Sequence, residues 1–71
     1  MRVVLQSLKD SHYLAPGGHW THQANQALDF GEVVRAVDYI LSRGLWNVRA
    51  VIRFANPQDD VLLPALMGDA G

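Results

Sequence analysis

Cysteine is absent from the chain, so neither a disulfide framework nor a thiolate metal site is available to it. Charge of one sign is lacking as well. Six Lys and Arg stand against seven Asp and Glu, for a net charge of −1, which argues against a protein whose binding rests mainly on neutralising phosphates. No apolar run approaches the roughly 20 residues that span a bilayer. The start, Met1-Arg2-Val3-Val4-Leu5, is too short and too strand-like for a signal peptide, so the expectation is a cytoplasmic, bacterial-type protein without membrane contact. No repeat, low-complexity tract or second domain interrupts residues 1–71. What is present is apolar: 49% of 71 residues, ample for a globular fold and too much for a disordered segment. At that length, without staples, stability is marginal and must come from one core, with help from a partner subunit where there is one.

Arg2–Leu8 alternates as a strand, with Val3 and Leu5 on one face and Val4, Gln6 and Leu8 on the other. Lys9-Asp10-Ser11 is a polar turn. His12–Ala15 and His19–Thr21 flank Pro16-Gly17-Gly18, the form of a tight hairpin. Thr21 is placed to cap a single helical turn through Ala24 and Gln26. From Glu32 to Arg43, Val33, Ala36, Val37, Ile40 and Leu41 recur at the spacing of one helical face, and Gly44 stands where a left-handed stop belongs. Val48–Ala55 is a strand with Val48, Ala50, Ile52 and Phe54 on the core face and Arg49, Val51 and Arg53 on the other. Asn56–Asp60 is a turn in which Asp59 and Asp60 read as solvated carboxylates. Val61-Leu62-Leu63 is a short edge strand limited by Pro64. Residues 65–71 form a tail that frays or docks. The fold class is therefore α+β: one domain, β-β-β-α-β-β, with a small antiparallel sheet of three to five strands and one amphipathic helix on one face.

The run Tyr13-Leu14, Gly18-x-Trp20-Thr21, Ala27-Leu28-x-Phe30 and Ala36 resembles short bacterial proteins of unassigned function carrying a "YL…GxWT…AxxF…A" pattern. The likeness spans roughly residues 3–55. Gly31 departs from it, standing where a Ser or Thr cap is expected. The resemblance implies an aromatic hairpin followed by one amphipathic helix. It implies no activity, ligand or catalytic residue.

Chemistry is sparse. Ser7, Ser11 and Ser42 lie in no nucleophile elbow, Gly17-Gly18 lacks a phosphate-loop context, and a chain this small has little volume for a pocket; the expectation is a non-enzyme without cofactor. His12, His19 and His22 fall within eleven residues. They read first as exposed hairpin histidines, with His12 and His19 brought close by the hairpin as the weak case for a metal site. The polar strand face is the larger signal. Arg49 and Arg53, joined by Arg2 if the first strand lies alongside, together with Val51, Trp20 and Trp46, make up a candidate interaction face. With one helix covering one side of the sheet, the other side is expected to be bare, leaving Val51 with Val4 or Leu8 for a partner. The functional expectation is an interaction or regulatory module, forming a homodimer or meeting a protein partner through that face or the Val61–Leu63 edge. The alternative is binding of single-stranded nucleic acid by the Arg and Trp residues.

Overall fold

A computed structural model describes residues 1–68 and holds the expected α+β architecture. The strands are β1 (Arg2–Ser7), β2 (Tyr13–Leu14), β3 (Trp20–Thr21), β4 (Val48–Arg53) and β5 (Val61–Leu62), and the helix is α1 (Val33–Arg43). They form one antiparallel sheet in the order β3-β2-β1-β4-β5, with α1 across one face. The two long strands pair centrally, Arg2 against Arg53 through Ser7 against Val48. Directly opposed residues share a face, so this register builds two separate apolar layers. On the helix side, Val3, Leu5, Leu14, Val48 and Ala50 pack with Ala36 and Ile40.

Helix α1 begins after Glu32, whose side chain makes no capping bond, and ends as its sequence requires. Gly44 takes φ 62°. Its N–H donates to the Leu41 carbonyl (3.3 Å), and Leu45 N–H reaches back to that of Ile40 (3.0 Å), the paired bonds of a Schellman stop. Leu45 is half-buried against the core, as the motif's apolar contact requires.

β2 spans only two residues, which leaves the first half of β1 without a strand on that side. The segment after β3 fills the gap. Leu28 N–H donates to the Leu14 carbonyl and Phe30 N–H to that of Val3, both at 2.8 Å. Asp29 Oδ1 in turn accepts the N–H groups of Val3 (3.0 Å) and Gly31 (2.9 Å). These two bonds hold the Asp29 carboxyl below its usual range, Val3 contributing most, against a small opposing effect of desolvation.

Several expectations need correction. The far face of the sheet is not bare. A 3₁₀ turn, Ala24–Gln26, and the following Ala27 lie over it, and Val4, Ala27 and Val51 form a second buried layer with Tyr13 at its margin. Phe54 is 41% exposed because β4 stops at Arg53, and Ile52 is only half-buried. Leu41 is 55% exposed, so it lies outside the core that the helical spacing assigned it to. In the tail, Met67 packs on the helix-side core and its carbonyl accepts the Asn47 N–H (2.7 Å), so residues 65–68 are docked. The rest of that tail, 69–71, lies outside the described residues.

Candidate interaction surfaces

The arginines of the far face come together as their strand alternation requires, and each has a partner within the chain. Arg49 Nε donates to Gln6 Oε1 (2.9 Å) across the β1–β4 pair, and the Gln6 amide contacts the Tyr13 hydroxyl (3.4 Å). Arg53 and Arg2 stand directly opposite each other, a like-charge pairing that destabilises a sheet unless neutralised. Arg53 is drawn to Asp60 (3.3 Å) and lies 5.9 Å over the Tyr13 ring. Arg2 turns to the carbonyls of Ala24 (3.3 Å) and Ala27, pinning the covering segment onto the sheet. Asp60 is therefore no solvated turn residue. It is half-buried, pairs with Arg53 and accepts the Phe54 N–H (3.2 Å). Beside this pair is an open cleft of about 370 Å³ whose walls include Arg2, Asn25, Arg53 and Phe54.

Val51 does not belong to an exposed face. It is 3% exposed and Val4 is 0%, because Ala27 covers both. Neither tryptophan joins the arginines. Trp20 pairs with Leu14, whose side chain is in the helix-side core, so Trp20 (38% exposed) lies on the opposite face of the sheet from Arg49 and Arg53. Trp46, 62% exposed, sits in the turn between α1 and β4.

The histidines are arranged differently from expectation. The β2–β3 register pairs Tyr13 with Thr21 and Leu14 with Trp20, and the Ala15 N–H bonds the His19 carbonyl (2.8 Å). Continued outward by one residue, the same register sets His12 against His22, not His19. The two rings lie with centroids 6.1 Å apart. Asp10 Oδ2 is 3.5 Å from His12 Nδ1, and Asp10 Oδ1 accepts the His12 backbone N–H (3.1 Å). That backbone bond is the main reason the Asp10 carboxyl lies below its usual range, against a smaller cost of desolvation. Among the described residues, no group of three or more His, Cys, Asp or Glu side chains is arranged to hold a metal ion.

A surface the sequence reading missed runs along α1. Its apolar arc is wider than the sheet beneath it. Ala36 and Ile40 are buried, while Val34 (66% exposed) and Leu41 (55%) stand seven residues apart on one flank, with half-buried Val37 between them. Beside that flank is an apolar groove of about 190 Å³ between the helix and the segment after β5, lined by Val37, Ile40, Ala50, Leu63, Pro64 and Leu66. The signal was in the spacing 34, 37, 41, which is as regular as the core stripe it adjoins.

No family model matches the chain, and no curated protein or solved structure is significantly similar to it. Among the described residues no helix is long and apolar enough to cross a membrane.

Proposed function

We propose that this chain is a non-catalytic interaction module that self-associates, with a second copy seated on the exposed flank of α1. The observation that carries this reading is the apolar stripe of Val34 and Leu41, exposed among the described residues, with half-buried Val37 between them beside the Leu63–Leu66 groove. The stripe is self-complementary. Val34 and Leu41 are two helical turns, about 10.5 Å, apart. A two-fold axis between them lays Val34 of one copy against Leu41 of the other, and the reverse, as an isologous dimer requires. A net charge of −1 puts little repulsion between copies, and a short chain without disulfides gains stability from association.

The other surfaces are less suited. Leu63 N–H bonds the Ala50 carbonyl (3.0 Å), so by antiparallel alternation Leu62 is the β5 residue whose backbone groups face outward. Pro64 follows it without an N–H, and an edge this short supports few bonds to an added strand. Arg2, Arg49 and Arg53 are engaged within the chain, which weakens the case for nucleic acid.

Sedimentation or light scattering across a concentration series tests the reading. The wild-type chain shifts from one-chain to two-chain mass as concentration rises, and its melting temperature rises in step. Leu41→Glu stays at one-chain mass and remains folded, since the side chain is largely in water; Leu62→Lys, on the strand edge, associates like wild type. One-chain mass for wild type at every concentration, or an undisturbed dimer in Leu41→Glu, refutes the proposal.

A further inference from the structure

The hairpin geometry points to a second site: we propose that His12 and His22 form a two-imidazole site for a divalent transition-metal ion, with Asp10 as the residue that positions His12. It is independent of the self-association reading, since it uses neither α1 nor the groove.

The register comes first. The Ala15–His19 and Tyr13–Thr21 pairs are hydrogen-bonded positions of the hairpin, so Leu14–Trp20 and His12–His22 fall at the non-hydrogen-bonded positions. There opposed side chains come closest, with Cβ atoms about 4.5–5.5 Å apart. Two imidazoles sharing one ion, each bonded through one nitrogen at about 2.0–2.1 Å, place their ring centroids about 5–6 Å apart, depending on the angle at the metal. The observed separation is 6.1 Å with the rings tilted by 49°, just beyond that span.

The backbone of His12 is held from behind. The His12 carbonyl accepts the Ser7 N–H (2.7 Å) and its own N–H is bound by Asp10. His22 is bracketed by Thr21, whose hydroxyl oxygen accepts the Gln23 N–H (3.1 Å). Asp10 then does what carboxylates do behind metal-bound histidines. Placed at Nδ1, it favours the tautomer with the proton on that nitrogen, which leaves Nε2 free as a ligand. His19, opposite Ala15, has no such partner histidine across the hairpin.

Neutral imidazole donors suit copper, nickel and zinc and do not suit calcium or magnesium, and the usual affinity order puts copper first. Two ligands leave positions open to water. His22 is exposed, so an ion has an entry path.

The test titrates the full chain with zinc while following the histidine ring protons by NMR, and with copper by calorimetry. The His12 and His22 resonances move together, His19 does not respond, and copper binds more tightly than zinc. His12→Ala and His22→Ala each abolish the response, whereas His19→Ala keeps it. Asp10→Asn weakens zinc binding by about tenfold, as loss of a carboxylate behind a ligating histidine does, and Asp10→Glu recovers part of it. Melting curves without metal, unchanged in His22→Ala and Asp10→Asn, separate this from loss of folding. No response to zinc, an equal response of all three histidines, or full affinity in Asp10→Asn overturns the assignment.

Discussion

Asp29 joins three parts of the chain with one carboxylate. It bonds the N–H of Val3 at the start of β1 and that of Gly31 at the entry to α1, while its neighbour Phe30 packs edge-on against Tyr39 with ring centroids 5.2 Å apart. Asp29→Ala removes both bonds and lowers stability by about 1 kcal/mol, the modest figure expected where water competes. The same geometry gives a pH dependence. Because the folded carboxyl lies below its ordinary value near 3.8, its contribution is present at neutral pH and is lost as pH falls through the lowered value. Asp29→Asn keeps an acceptor but loses the charge, so its urea midpoint falls less steeply than wild type on going from neutral to acid pH. A parallel decline in the two proteins contradicts this account. None of it is legible in residues 27–31, where Ala27–Phe30 reads as a brief extended run with no partner indicated. The bonds depend on where β1 passes, and that is a long-range fact. The arginines show the same division. Alternation put Arg49 and Arg53 on one face correctly, but their partners, Gln6 and Asp60, are supplied by other strands and turns.

Elements were legible where local chemistry alone shapes them. The stop of α1 is the clearest: a left-handed residue is needed after Arg43, and Gly44 is there. A Cβ added at Gly44 meets nothing within 4 Å, so Gly44→Ala carries the backbone cost alone. That cost is about 1–2 kcal/mol, read as a melting temperature lower by roughly 5–10 °C for a domain of this size. An unchanged melting temperature means that the last turn relaxes freely. The hairpin shows how an element can be found and its consequence missed. Residues on either side of Pro16-Gly17-Gly18 do pair, but the pairing is symmetric about Gly17, and counting outward from it brings residue 12 to 22. On α1 the opposite error occurred. The stripe Val33, Ala36, Val37, Ile40, Leu41 overreaches at Leu41, which lies outside the contact with the sheet beside Val34, a residue the stripe does not include.

At the scale of the whole molecule, the core is divided in two by the sheet, and each half is thin. Ile40, 1% exposed, is among the largest side chains fully enclosed on the helix side. Truncation of such a residue to Ala costs about 2–5 kcal/mol, against a total of roughly 4–10 kcal/mol for a chain of this length. Ile40→Ala therefore loses much of its urea midpoint or does not fold at all, while Leu41→Ala, one residue on and largely exposed in the single chain, stays within about 0.5 kcal/mol of wild type when both are measured at a concentration low enough for one-chain mass. Equal losses at the two positions contradict the burial pattern described for α1.

The amino-acid sequence by itself determined the elements, the antiparallel class of the sheet and the stop of the helix, because periodicity, turn residues and a left-handed glycine act over a few residues. The tertiary structure alone decided which apolar residues are left over. A strand face is bare only if nothing crosses it, and here residues 28–30 bond to Leu14 and Val3 beside the short β2 while Ala27 covers Val4 and Val51, so the open apolar surface is the flank of α1 instead. That outcome depends on the lengths and crossings of segments distant in the chain, which no local pattern encodes.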